Sequence, residues 1–164
     1  MKRGFDKRGQ QTMGMPFGII FSIILIVVFI VIAFIAVRSF LDLGRCAEVG
    51  QFYEGFQNEV DNVWKSQESE KSYDLDLPAG IDEICFANFS MSITNSLIYE
   101  EVSLFEFDDV NAVLLPYQKA CDMAGKNIKH LDVSKIVVNE NPKCFSAGEI
   151  VLKKGFYDKY AFIE

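Results

Sequence analysis

Histidine and tryptophan each occur once in 164 residues, proline occurs four times, and no ionisable side chain stands between Gly9 and Val37. Each scarcity excludes something. With His130 as the lone imidazole, and without a GxSxG or phosphate-loop pattern, the common nucleophile–base and nucleotide-binding chemistries lack their parts. The four cysteines form no CxxC, which removes zinc-ribbon and thioredoxin-like readings. Basic residues are outnumbered, 16 Lys+Arg against 23 Asp+Glu, for a formal net charge of −7. A nucleic-acid binder working through a basic face is therefore excluded. Yet the mean hydropathy is positive, +0.15, so the apolar residues of this acidic chain must be concentrated in one place.

They are concentrated from Phe17 to Val37, FGIIFSIILIVVFIVIAFIAV, where Ser22 is the only polar side chain. As a helix this run measures about 31 Å, the thickness of a bilayer's hydrocarbon core. In lipid the backbone must satisfy its own hydrogen bonds, so a single span is helical. A buried core helix of this character would need about 100 residues of protein wrapped around it. A conventional signal peptide has a shorter apolar region followed by a small-residue cleavage site; Val37-Arg38-Ser39-Phe40 supplies none. Lys2, Arg3, Lys7 and Arg8 precede the span with Asp6 as the only acid, which places the N-terminus in the cytoplasm and the bulk outside. Residues 39–164 then hold 11 Lys+Arg against 22 Asp+Glu, a net of −11. The expected location is the cell membrane, with the lipid bilayer as a partner and nucleic acid not.

Beyond the span, Val49, Phe52, Tyr53, Phe56, Val60, Val63 and Trp64 recur at steps of three and four, and Cys46 extends the stripe backwards. Polar residues fill the gaps, so an amphipathic helix is expected to end near Ser66–Ser69. No proline interrupts the chain from Phe17 through this stripe. The remainder reads mainly as strands: around Tyr73–Leu77, Ile84–Phe86, Ala112–Leu115, Ile136–Val138, and a terminal meander of Cys144-Phe145, Ile150–Leu152 and Tyr160–Ile163 with turns at 147–149 and 154–155. Leu97, Ile98, Val102 and Phe105 fit a short helix. The expected fold is α+β: a single N-terminal transmembrane helix continuing into an amphipathic helix packed on a small antiparallel sheet. The expected divisions are a basic leader at 1–9, the transmembrane helix at 10–40, the amphipathic helix at 41–68 and a β-rich extracytoplasmic domain at 69–164.

The leader Met1-Lys-Arg-Gly-Phe-Asp-Lys-Arg-Gly9, followed by Gln10-Gln11-Thr12-Met13-Gly14 and the apolar run, resembles the class III signal segment of archaeal type IV pilins. In that family a prepilin peptidase cuts after the glycine and the apolar helix stays with the mature subunit. The resemblance implies processing between Gly9 and Gln10, prepilin peptidase as a partner, and self-association or association with other pilin-like subunits. Thr12 is a near match to the usual Ser. Gly14 stands where the family has a Glu associated with filament registry, which argues against a major pilin. The layout of a half-embedded, half-exported helix on a sheet is also that family's. The alternative is a signal-anchored extracytoplasmic binding domain that is neither processed nor assembled.

Cys46, Cys85, Cys121 and Cys144 all lie beyond the span, and an even count on the outer side favours two disulfides. Three pairings are open and spacing does not choose among them. The preferred one joins Cys85 to Cys144, both in apparent strands before a Phe, leaving Cys46 to tie the helix to Cys121. Asn88-Phe89-Ser90 is an N-glycosylation acceptor pattern. The carboxylate pairs Asp82-Glu83, Glu100-Glu101 and Asp108-Asp109 read as solvated surface, no DxDxDG calcium loop occurs, and neither an enzyme, a cofactor nor a metal is expected. If the disulfide reading holds, the exported protein shows no free thiols under nonreducing denaturation and four after reduction; four free thiols before reduction would reject it.

Overall fold

The computed structural model describes residues 14–164. Helix α1, Gly14–Lys65, runs for 52 residues, and the chain divides into two compact units between Leu43 and Gly44. In the first unit the described side chains of α1 from Phe17 onward are exposed. Ser22 Oγ donates to the Gly18 carbonyl at 2.9 Å, so the one hydroxyl in the apolar run is satisfied within its own helix.

The second unit is built on the striped part of α1. Val49, Phe52, Tyr53, Phe56, Val60 and Val63 are all buried, as the three-and-four spacing requires of a face turned to a core. Two antiparallel sheets receive that face. The first has the order β1-β6-β7 and contains β1 (Ser69–Leu75), β6 (Gly148–Lys154) and β7 (Phe162–Ile163). The second has the order β4-β3-β2-β5 and contains β2 (Glu83–Phe86), β3 (Ala112–Leu115), β4 (Gly125–Lys126) and β5 (Lys143–Ser146). Phe56 bridges them: its ring lies 5.8 Å from Tyr73 of β1 and 6.0 Å from Phe86 of β2, centroid to centroid. Tyr53 adds a buried polar tie, its hydroxyl donating to the Ala124 carbonyl at 2.7 Å, and burial pushes that phenol well above its ordinary range.

Strands β2 and β3 are covered on both faces, which accounts for their unbroken apolar runs. Ile84, Phe86, Ala112 and Leu114 join the main core with α1. Cys85, Val113 and Leu115 turn the other way and, with Val102 of α2 (Ser96–Val102), make a second small core. α2 starts at Asn95, whose side chain accepts from the Ile98 N–H, and passes into a tight turn at Ser103–Phe105. Gly125 in β4 is fixed by close approach: a Cβ there would stand 2.8 Å from Phe105 Cδ1.

Three expectations need correction. Ile136–Val138 is not a strand; α3, Val133–Ile136, occupies its start, with the Asp132 side chain accepting from the Lys135 N–H. Val133, Ile136 and Val137 are buried and Val138 is exposed, a helical spacing that a three-residue apolar run does not distinguish from a strand. The terminal segments do not form one meander, because β5 pairs with β2 while β6 pairs with β1 and β7. Gly148, at φ 142°, lies where the chain leaves one sheet for the other, a backbone setting that suits glycine. The single expected sheet is therefore two. Phe56 is fully buried, so Phe56→Ala should destabilise the second unit by about 3–5 kcal/mol in urea unfolding of the detergent-solubilised chain; a loss under about 1 kcal/mol would contradict its bridging role.

Candidate functional site

α1 contains one segment long and apolar enough to cross a membrane, and none of that segment is buried. This is the most extensive apolar surface among the described residues. Gly9 and Gln10, the expected processing pair, lie outside the described residues.

The cysteine sulfurs fall into two bonded pairs. Cys46 and Cys121 are joined at 1.97 Å, and Cys85 and Cys144 at 2.00 Å; these are the pairs preferred from the sequence. Cys85 and Cys144 are directly opposed in the β2–β5 ladder, whereas Cys46–Cys121 ties α1 to the turn before β4. Glu83 comes close to the Cys85–Cys144 pair, all donor atoms within 4.8 Å. Both sulfurs are spent in the disulfide, so this cluster offers no thiolates to a metal. Burial, then the charges of Asp82 and Glu101, hold the Glu83 carboxyl above its ordinary pKa.

Asn88 is half-buried. Its Oδ1 accepts from the Ser90 N–H at 3.0 Å and its Nδ2 donates to Ser134 Oγ at 2.9 Å. The loop around it is ordered by Asn141, the one buried polar residue among the described residues. Asn141 Oδ1 accepts from the Asn88 N–H, and its Nδ2 donates to the carbonyls of Asn88 and Ser92.

A cluster that the sequence did not announce surrounds His130. Its ring stacks on Trp64 with centroids 3.7 Å apart and planes 4° from parallel, and its Nδ1 lies 2.8 Å from Asp61 Oδ1. Gln57 grips the same loop: its Nε2 donates to Asp61 and to the Lys129 carbonyl, and its Oε1 accepts from the Lys129 N–H. His130 holds φ at 62°, an uncommon setting for a bulky residue that the surrounding contacts impose. No Ser or Cys hydrogen-bonds the ring among the described residues, so the arrangement clamps the loop to α1 and lacks a nucleophile. The signal was absent from the sequence because Asp61 and His130 are 69 residues apart.

At the end of α1, Lys154 Nζ donates to the carbonyls of Trp64 and Ser66 at 2.6 and 2.8 Å. It satisfies carbonyls that a helix end leaves open and places positive charge at the negative end of the helix dipole.

No known protein family, no curated protein and no solved structure matches the chain.

Burial acts to raise the Asp61 pKa, but the hydrogen bonds from His130 and Gln57 and the charges of His130 and Lys65 outweigh it and hold the carboxyl below its ordinary value. A folded pKa below the unfolded one gives stability that is full above the unfolded value and lost as pH falls through the folded value. The stability gap between the protein and Asp61→Asn should therefore be widest above about pH 5 and close in acid. Unfolding midpoints measured across pH check this; a gap unchanged down to pH 2 would refute it.

Proposed function

We propose that this chain is a pilin-like, single-pass membrane-anchored surface protein with a structural role in assembly exerted through its N-terminal helix. The observation that carries the reading is the change of character within α1: apolar and unburied through its first unit, then striped and packed beneath two sheets from Val49 onward. An ordinary soluble core helix would be buried across its apolar part, and a simple signal anchor has no need to become the central core helix of the domain that follows it. The span holds the protein in the bilayer, and its exposed Ile, Val and Phe side chains present the surface on which copies or related subunits pack. The basic flank orients the N-terminus to the cytoplasm and the folded unit to the outside. Two disulfides on that unit fit an oxidising compartment. The Arg8-Gly9-Gln10 junction supplies the processing site, and Gly14 favours a minor or non-filament relative over a major filament subunit.

The mature amino terminus tests this reading. Mass spectrometry of the membrane-extracted protein should find a chain that begins at Gln10, and Gly9→Val should leave the leader attached. An intact leader on the membrane form of the unaltered protein would overturn the processing and favour a signal-anchored binding domain.

A further inference from the structure

Asn88-Phe89-Ser90 is the only Asn-x-Ser/Thr triplet in the chain. The fold places it in a tight turn just beyond β2. The Met91 N–H donates to the Asn88 carbonyl at 3.1 Å, so Asn88 opens a four-residue turn and stands outside any strand ladder. Ser90 is exposed and Asn88 half-buried. Both line an open cleft of about 520 Å³, within the range of small-ligand pockets, about 300–1,000 Å³.

The rest of that lining is rich in acceptors and contains no Lys or Arg. Some of its polar groups are already engaged: Asp132 caps α3, Glu106 Oε2 accepts from the Tyr99 hydroxyl, and Asn111 is spent on the Ile128 backbone. The carboxylates of Asp108 and Asp109 make no hydrogen bond or ion pair among the described residues. Tyr160 adds an aromatic ring to the same lining. Open acceptors beside a ring suit a neutral sugar, whose hydroxyls supply the donors and whose C–H face packs on an aromatic. A sugar acid would set its own carboxylate against Asp108 and Asp109.

We infer that Asn88 carries an N-linked glycan whose first sugar is neutral and lies in this cleft. The inference rests on the placement of the folded unit outside the membrane, which is part of the pilin-like reading. The donor is a glycan activated as a polyprenyl phosphate or diphosphate. Asn88 Nδ2 bonds to C1 of the first sugar and the C1–O bond to phosphate breaks. The phosphate-bearing lipid leaves with the electron pair, and one Nδ2 proton passes to a base of the transferase; nothing is oxidised or reduced. The amide nitrogen starts with two protons and donates to Ser134 Oγ at 2.9 Å, so the one that remains is enough for that hydrogen bond. Oδ1 goes on accepting from the Ser90 N–H. Asn141 holds the backbone of Asn88 through both its N–H and its carbonyl, which sets the sugar on a fixed stem.

The test is glycopeptide mass spectrometry on the full chain from its native membranes, reduced and cut after Lys and Arg. Asn88 then falls in one peptide, residues 72–119, because no Lys or Arg precedes Lys119 within it. Asn88 should carry a mass increment whose linking residue is a neutral hexose or N-acetylhexosamine. Ser90→Ala should abolish the increment and Ser90→Thr should keep it. Ser90→Ala retains the Asn88 amide and so serves as the sugar-free comparator, with absence of free thiols showing that it has folded. Amide hydrogen exchange in residues 106–111 should be at least about threefold slower in the glycosylated chain than in Ser90→Ala. An unmodified Asn88, an increment that survives Ser90→Ala, a uronic acid as the linking residue, or equal exchange in residues 106–111 would each overturn the inference. An unmodified Asn88 on a mature chain beginning at Gln10 removes the glycan and leaves the pilin-like reading in place, whereas a glycan beside an intact leader removes that reading and keeps the site.

Discussion

The folded unit depends on one packing event, the burial of the α1 stripe against two sheets that share no strand. The three-stranded and four-stranded sheets share no strand, and the α1 stripe lies in one core with residues of both. Phe56 touches both, and Val49, Phe52, Val60 and Val63 extend the same seam along about four turns of the helix. A three-stranded or four-stranded sheet of this length has too little apolar area to persist alone, so the helix is the element that makes each of them worth forming. The other ties are arranged along that seam. Cys46–Cys121 holds one end, Tyr53 and Gln57 hold the middle, and Lys154 closes the other. The disulfide also limits the unfolded chain across a sequence separation of 75, where a crosslink has much conformational freedom to remove.

The same helix meets a second constraint in its first unit. There the apolar residues surround the axis, and a membrane is the solvent that such a surface fits. One regular backbone serves both parts because its hydrogen bonds are internal, and what changes along α1 is only which side chains must leave water. The acidic balance belongs to the folded unit, where net negative charge favours solubility and disfavours contact with anionic surfaces. Within that unit the charge is unevenly placed along the chain: no Lys or Arg stands between Lys71 and Lys119, and eight Lys lie from Lys119 onward.

Much of the helix was legible in the sequence because periodicity is a local property. The three-and-four spacing from Val49 to Trp64 required no knowledge of the partner surface, and the run from Phe17 to Val37 was plain from composition. The strands at Ile84–Phe86 and Ala112–Leu115 could be read from short apolar runs, as could the helix beginning near Leu97. What could not be read was which strands pair. β5 and β6 are separated by one residue, and only the Gly148 backbone and the cores on either side send them to different sheets. The Ile136–Val138 run was ambiguous for a related reason: the Asp132 cap decides its form, and a cap's effect depends on what the turn then buries. His130 looked isolated because Trp64 and Asp61, its partners, are on the far side of the chain in sequence. The processing residues Gly9 and Gln10 rest on the resemblance of the leader alone.

The central claim is that α1 changes environment between its two units, lipid for the first and protein core for the second. Hydrogen–deuterium exchange on the full chain in lipid nanodiscs, repeated in mild detergent after the lipid is removed, measures this most directly. The account predicts slow exchange from Phe17 to Val37 that depends on lipid, and slow exchange from Val49 to Val63 that does not. Exchange from Phe17 to Val37 that is fast in nanodiscs, or protection from Val49 to Val63 that vanishes with the lipid, would contradict it.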